Sequence, residues 1–199
     1  MSTTTTPAKQ GPRERLLKAA ALFYQEGIRA VGINRVLEEA QTPIMSLYRQ
    51  FGSKDGLVEA FLVDKDARVR ALFEREVDKL ADDGRDKVLA VFEVLAKVIA
   101  EDDFRGCTFI NVAVEMADAS HPFVEISRAH KRHARELFEG YLRDAGVADA
   151  EPLAAQMLML MDGVFVAAQM QAPYDAVAHA RGAAAVLIDD ALRRQAATS

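Results

Sequence analysis

The chain has 199 residues, half of which are hydrophobic, and its formal net charge at pH 7 is −5. A chain of this length forms one large domain or two small ones, and its hydrophobic content excludes general disorder. Glycine (11 residues) and proline (6 residues) are sparse, whereas alanine, leucine and charged residues are abundant. This composition, with little alternation of β-branched residues, predicts an all-α fold.

The charge is unevenly divided along the chain. Residues 1–65 carry nine Lys and Arg against seven Asp and Glu, a net charge of +2, whereas residues 66–199 carry 16 against 23, a net charge of −7. The basic excess of the first part is modest. Affinity for nucleic acid would therefore have to come from well-placed contacts and from the pairing of two copies, not from a general basic field.

Three features of the sequence bear on location. We find no uninterrupted apolar run of the roughly 18–20 residues that a membrane span requires. The N-terminus is polar and lacks the apolar core of a signal peptide. The single cysteine, Cys107, excludes an internal disulfide and is typical of a reducing compartment. Together these features predict a cytoplasmic protein with no membrane partner.

The N-terminal part is predicted to form a tail followed by short helices. Residues 1–11 are rich in threonine and are expected to be disordered. A helix over residues 12–26 has one apolar face. Further helices are predicted over residues 33–40 and from Pro43 onwards, the latter with Thr42 as its N-cap.

The remaining sequence is predicted to be helical throughout. Ser53 is expected to cap a long helix over residues 54–80. The helices predicted after it, which bring the total to about nine, cover residues 86–101, 107–117, 122–145, 150–170 and 174–194.

A turn near Gln41 joins two short helices, and the second presents polar and aromatic side chains, which describes a helix-turn-helix. Around it, several motifs occur in order: Ala19-Ala20-x-Leu22-Phe23 with Gly27, then Ile33-x-x-Val36, then Leu47-Tyr48-Arg49-x-Phe51-x-Ser53-Lys54-x-x-Leu57. This ordered set resembles the TetR family of bacterial transcriptional regulators over residues 12–62. A helix-turn-helix pattern alone would equally fit ordinary packed helices, and it is the ordered set that favours DNA binding.

The resemblance implies a division into two domains. Residues 12–60 would form a helix-turn-helix DNA-binding domain, and residues 61–199 a helical domain that binds an effector and dimerises, with a long helix joining the two. By this resemblance, the residues expected to meet double-stranded DNA are Asn34, Pro43, Ile44, Met45, Ser46, Tyr48, Arg49, Gln50 and Lys54.

The predicted DNA-binding residues have three distinctive features. Tyr48 and Lys54 match family positions that commonly touch phosphates, and a helix N-terminus such as that at Lys54 also holds phosphates. Gln41 stands where the family usually has glycine, so the turn is expected to be strained or altered. Ile44 and Met45 make the reading face apolar, and such side chains are suited to contact thymine methyl groups.

The last two predicted helices are apolar on nearly every side, so they must be buried on nearly every side. A second copy of the chain would cover them in a four-helix bundle, and the alternative is an unusually buried core in a monomer. The residues predicted at the dimer interface are Leu160, Val164, Val186 and Leu187. The two DNA-binding domains of the dimer would then face successive major grooves about 34–36 Å apart, which implies a palindromic operator.

An effector site is predicted from apolar and Met-rich positions of the C-terminal part, because methionine suits irregular binding sites. Plain core packing is the alternative, since pockets and cores share the same lining chemistry. The predicted ligand-binding residues are Phe92, Leu95, Phe104, Cys107, Ile110, Asn111, Val114, Glu115, Phe123, Met157, Met161 and Phe165.

These patterns predict a homodimeric repressor that a small, largely apolar effector releases from its operator. Two alternatives remain: a helical small-molecule binding protein, and a thiol-based sensor of oxidants or electrophiles that acts through Cys107. No motif of an enzyme active site occurs, so we predict no catalytic residue and no cofactor. His130 and His133 have the spacing of a ligand pair, but their basic neighbours predict a solvated helix face and no metal site.

Overall fold

A computed structural model describes residues 11–198, and over this range the chain forms ten helices and no strand. The predicted all-α fold is confirmed. The predicted tail lies outside the described residues, except for Gly11. The helices are α1 (Pro12–Ala19), α2 (Leu22–Glu26), α3 (Ile33–Ala40), α4 (Ile44–Phe51), α5 (Lys54–Leu80), α6 (Gly84–Ile99), α7 (Thr108–Met116), α8 (Pro122–Asp144), α9 (Ala150–Gln169) and α10 (Ala176–Thr198).

The helix predicted over residues 12–26 is divided into α1 and α2, which accounts for the additional helix. At the division, the N–H of Ala21 donates to the carbonyl oxygen of Lys18 (3.2 Å), the i to i−3 bond of a 3₁₀ turn. The second piece ends as predicted at Gly27, whose φ of 96° lies in the region that favours glycine.

The chain divides into two compact units between Asp64 and Lys65, and α5 contributes residues to both. In the first unit, α1 packs against α3 and α4. The Arg15 Nε–H donates to the carbonyl oxygen of Ala40 (3.1 Å) and so ties α1 to the end of α3. The apolar core of this unit includes Leu16, Phe23, Val36, Leu47, Leu57, Phe61 and Leu62.

The second unit is built from α6, α8, α9 and α10 packed on one another, with α7 against α8. Asp83 caps α6, because its carboxylate accepts the N–H of Asp86 (3.0 Å). The first residue of α6 must be glycine, since a Cβ on Gly84 would lie 2.3 Å from the carbonyl oxygen of Tyr141. Fully buried side chains at the centre of this unit include Phe92, Leu95, Phe138, Leu142, Met157 and Ile188.

Within the described residues, α9 alone is long and apolar enough to cross a membrane by length and composition, with a mean hydropathy of 1.3. This criterion averages hydropathy, and Glu151, Gln156 and Asp162 still interrupt the apolar run of α9. Met157, Met161 and Val164 of α9 belong to the hydrophobic core of the second unit. The helix thus packs against the core of the second unit, and core helices commonly meet the same criteria.

Candidate DNA interface and effector cavity

The turn between α3 and α4 is tight and left-handed at Gln41, which has φ 47° and ψ 49°. The N–H of Gln41 donates to the carbonyl oxygen of Glu38 (3.1 Å), and the N–H of Thr42 donates to that of Leu37 (3.1 Å). The expected strained turn is therefore present. Gln41 adopts a left-handed conformation, which costs a residue with a Cβ about 1–2 kcal/mol.

The start of α4 differs from the prediction. Thr42 is buried and its hydroxyl donates backwards to the carbonyl oxygen of Ala40 (2.8 Å), so it is not the N-cap. Pro43 occupies that position and makes no side-chain capping bond. The proline has no N–H to satisfy, and its φ of −64° suits the entry to a helix.

One side of α4 is exposed and largely apolar. Met45 is 71% exposed, Tyr48 50% and Ile44 41%. Pro43, Arg49, Gln50 and, at the start of α3, Asn34 are also exposed. Ser46 is only 9% exposed and shares the inner side of the helix with the buried Leu47, so the prediction that it faces outwards is wrong.

Lys54 is held inside the first unit at the start of α5. Its Nζ donates to the carbonyl oxygen of Ile28 (2.6 Å) and lies 5.7 Å from the centre of the Phe23 ring. An ammonium group has two further N–H donors, so a phosphate contact by Lys54 stays a prediction. The predicted cap at Ser53 is confirmed, because its hydroxyl accepts the N–H of Gly56 (3.0 Å).

A partly enclosed cavity of about 260 Å³ lies in the second unit among α5, α6, α8 and α9. Its wall is mainly apolar, and the predicted residues Met161 and Phe165 line it. The other lining residues were not predicted from the sequence, and they are Val69, Arg70, Phe73, Glu74, Val91, His130, His133, Ala134, Glu136, Leu137 and Phe138. The i, i+4 spacing of Val69 and Phe73 on α5 was the signal that this helix faces the interior.

Most of the other predicted ligand residues lie elsewhere in the second unit. Phe92, Leu95, Phe123 and Met157 are buried in packed core positions and line neither cavity, which corrects their assignment. Their apolar side chains meet neighbouring side chains instead of open space, as cores require.

Ile110 and Val114 line a second, more open groove of about 720 Å³ beside α7 and α8. The cations of this groove are paired: Lys131 contacts Asp162, and Arg132 contacts Glu125 (3.1 Å). The predicted effector residues are thus divided between two places, and the structure does not bring them together at one site.

The last four predicted ligand residues line neither the cavity nor the open groove. Phe104 stacks on Phe165 with ring centres 6.2 Å apart. The Asn111 side-chain amide donates to the carbonyl oxygen of Arg105 (2.7 Å), and Glu115 is half-buried. Cys107 is only 6% exposed, which limits the access that a thiol sensor needs.

A polar cluster around Asp66 borders the cavity. The Asp66 carboxylate lies 2.7 Å from His130 Nδ1, 3.1 Å from Arg70 Nε and 3.8 Å from His133 Nδ1. His130 is buried and its ring stacks on Phe109 with centres 3.8 Å apart, so the prediction of a solvated face is wrong for this residue. Burial lowers the pKa of His130 despite the opposing effect of the hydrogen bond to Asp66.

Two histidines of this cluster have unusual environments. A lowered pKa keeps His130 neutral at neutral pH. In the part of the chain that the structure describes, His133 Nδ1 is the one buried side-chain nitrogen or oxygen without a hydrogen-bond partner. No group of three or more His, Cys, Asp or Glu between residues 11 and 198 is arranged to hold a metal ion.

The four apolar residues predicted for dimerisation differ in their exposure. Val164 is only 2% exposed and belongs to the core of its own protomer, which corrects its assignment. Leu160 and Leu187 are half-buried against that core, whereas Val186 is 64% exposed. The large exposed apolar residues of α9 are instead Met159 (66%) and Val166 (44%), and Met170 (76%) follows directly as its C-cap.

These features define a class of protein: a helix-turn-helix unit with an exposed reading face, followed by a helical unit that contains a cavity. A family model described as "Bacterial regulatory proteins, tetR family" matches residues 16–61. A second, described as "Transcriptional regulator LmrA/YxaF-like, C-terminal domain", matches residues 85–181.

Similar proteins agree with both matches. SCO4454, a TetR-family transcriptional regulator from Streptomyces coelicolor, is 30% identical, with a TM-score of 0.78 over 92% of this chain and 95% of that one. The HTH-type transcriptional regulator YjdC of Escherichia coli is 22% identical over 152 residues, which are 76% of this chain and 80% of YjdC. A cysteine mutant of the TetR-family regulator CifR, complexed with 26 bp double-strand operator DNA, has a TM-score of 0.71 at 23% identity and covers 94% of this chain and 98% of its own.

The chain belongs to the TetR family. It is a DNA-binding transcriptional regulator and not an enzyme.

Proposed function

We propose that this regulator is a homodimeric repressor, and that a small, largely apolar effector releases it from a palindromic operator. The observation that carries the DNA-binding part is the exposed face of α4, which follows a tight turn and shows Met45 and Tyr48 to solvent. CifR, a regulator with a similar fold, is complexed with operator DNA, which supports operator binding by this chain. Such a regulator would act in the cytoplasm, where a lone cysteine stays reduced.

The dimer is proposed to form through α9 and α10. Met159, Gly163 and Val166 of α9 and its C-cap residue Met170 are exposed at spacings of four, three and four residues, which places them along one stripe. Val186 adds an exposed apolar side chain on α10. A second copy would cover these side chains in an isologous interface, the common solution for soluble proteins.

The effector is proposed to bind in the 260 Å³ cavity. This volume lies just below the usual range of about 300–1,000 Å³ for small-molecule sites, so the effector is a compact molecule. The apolar wall would hold its body, while the neutral imidazole of His130 and the His133 Nδ1, which makes no hydrogen bond, offer polar contacts that fix orientation.

The proposed route from effector to DNA follows α5. Its C-terminal part carries Val69, Arg70 and Phe73 in the cavity wall, and its N-terminal part belongs to the DNA-binding unit. An effector that shifts the C-terminal part of this continuous helix would change the positions of the two DNA-binding domains in the dimer. Effector and operator must then weaken each other's binding by the same factor.

Replacing Tyr48 with alanine is expected to lower operator affinity by about tenfold, since the change removes one hydroxyl contact and an aromatic surface worth about 1.4 kcal/mol together. A phosphate contact carries no base information, so affinity for unrelated DNA should fall by a similar factor. Fluorescence anisotropy with an operator selected from random-sequence DNA measures both. Tyr174, which is 57% exposed in the second unit, gives the control: Tyr174→Ala should leave affinity unchanged. Equal affinities of the Tyr48→Ala variant and the parent protein would show that Tyr48 does not contact the operator.

Replacing Ala134 with methionine is expected to block the effector response while leaving operator binding intact. Ala134 lines the enclosed cavity, and three additional heavy atoms would occupy space that the effector needs, lowering effector affinity by about tenfold or more. The matched control is Ala113→Met, which adds the same atoms to the open groove. A thermal-shift screen supplies the effector, and operator release is then titrated for both variants. If Ala113→Met blocks release and Ala134→Met does not, the effector site is the groove.

A further inference from the structure

The first turn of α4 exposes two adjacent aliphatic side chains. Ile44 is 41% exposed and Met45 is 71% exposed, whereas the inward-facing Leu47 is fully buried. Neither side chain is needed to complete the core of its unit, because most of Met45 and a large part of Ile44 face water. An apolar pair at the start of a reading helix occupies the position from which side chains reach base edges.

The chemistry of the major groove restricts what such side chains recognise. Every base edge there presents hydrogen-bond donors or acceptors, and the apolar exception is the C5-methyl group of thymine. Ile44 has no polar side-chain atom, and the thioether of Met45 is only a weak acceptor. Over guanine or cytosine these side chains would exclude water from polar edges without replacing its hydrogen bonds, which costs free energy.

We propose that Ile44 and Met45 read thymine C5-methyl groups, so that each operator half-site carries at least one T·A pair beneath the first turn of α4. This inference rests on the proposed use of α4 as the reading helix and adds the base that it selects. The neighbouring exposed residues Arg49 and Gln50 bring the polar groups that position the helix on the DNA. Burial of one methyl group accounts for about a fourfold change in affinity, and of one in each half-site for about 15-fold.

The test uses deoxyuridine, which keeps the hydrogen-bonding edges of thymidine and lacks its methyl group. An operator is first selected from random-sequence DNA with the full chain. Each thymidine is then replaced singly by deoxyuridine, and binding is measured by fluorescence anisotropy at one salt concentration. We expect a loss of about fourfold at one or two positions in each half-site and no change at the other thymidines.

Two further arms assign the effect to these side chains. In Met45→Ala or Ile44→Ala, the deoxyuridine loss at a sensitive position should disappear, because the methyl group no longer has its partner. Replacing that T·A pair by C·G should weaken binding, and 5-methyldeoxycytidine in the same place should recover the part due to the methyl group. Since both side chains are exposed, these variants are expected to fold normally, which thermal unfolding checks.

The possible outcomes separate this inference from the proposed function. Tight binding of an operator that is insensitive to deoxyuridine at every position would overturn the inference and leave DNA recognition by α4 in place. A deoxyuridine loss that persists unchanged in both alanine variants would also overturn it, because another residue would then read the methyl group. If no sequence is enriched at all, the proposed operator binding itself fails.

Discussion

Replacing Phe92 with alanine is expected to lower the free energy of unfolding by about 3–5 kcal/mol. The Phe92 side chain is fully buried, and its ring packs 6.2 Å from the ring of Phe138 at the centre of the second unit. Truncation removes these contacts and leaves a void that close-packed neighbours only partly fill. Equilibrium denaturation in urea, followed by circular dichroism, measures the change.

The matched control is Phe165→Ala, which removes the same atoms beside the cavity. Phe165 is half-buried and lines the cavity wall, so part of its ring already lacks contacts, and we expect about half the loss or less. This variant should weaken effector binding, whereas Phe92→Ala should affect the effector only through stability. Equal losses of stability in the two variants would show that Phe92 is not the better packed of the two rings.

Replacing Val166 with glutamate is expected to dissociate the dimer and to reduce operator affinity by at least about 100-fold. Val166 is 44% exposed on the apolar stripe of α9, and a second copy would surround its side chain with apolar groups. A carboxylate placed there would lose its hydration without gaining a partner. A monomer engages one half-site only and loses the gain of about 10²–10⁴ that linkage of two binding modules provides.

Val114→Glu is the control for this change, because it introduces the same charge at an exposed valine of α7 outside the proposed interface. Val114 is 75% exposed. Sedimentation velocity should show a monomer for the Val166→Glu variant and a dimer for the Val114→Glu variant, with operator affinity lost only in the first. A Val166→Glu protein that remains dimeric would place the interface elsewhere.

The helix-turn-helix was largely predictable because local interactions determine it. The left-handed turn at Gln41, the end of α2 at Gly27 and the cap at Ser53 each depend on residues within one or two turns of the chain. The predictions were wrong for two side chains whose direction depends on which neighbouring group they contact. Thr42 bonds back to Ala40 instead of capping α4, and Ser46 turns inwards with Leu47.

The cavity was not predictable in the same way, because its lining is assembled from helices that are distant in sequence. Phe92 and Phe165 are equally apolar, and only the packing of α6, α8 and α9 makes one a core residue and the other a wall residue. The burial of His130 also depends on residues that are distant in sequence. Its sequence neighbours are cations, yet the helix turns it towards Phe109 and Asp66, which bury it.

The dimer surface on α9 and α10 stays a prediction, but the structure buries the predicted interface residue Val164 in the core of its own chain. Leu160 and Val164 were chosen because α9 is apolar on all sides, and composition does not distinguish the face that the protomer itself covers. Burial of Val164 and exposure of Met159 and Val166 identify the remaining free face. The packing within one chain therefore shows which face of α9 is exposed, and the apolar pattern of the sequence does not.

Selection of DNA from a random-sequence pool by the full chain tests the central claim most directly. A homodimer that reads DNA through α4 predicts enrichment of an inverted repeat, with half-site centres about one helical turn, or 34–36 Å, apart. Recovery of a single unrepeated half-site, or of no enriched sequence, would contradict a dimeric regulator acting at a palindromic operator.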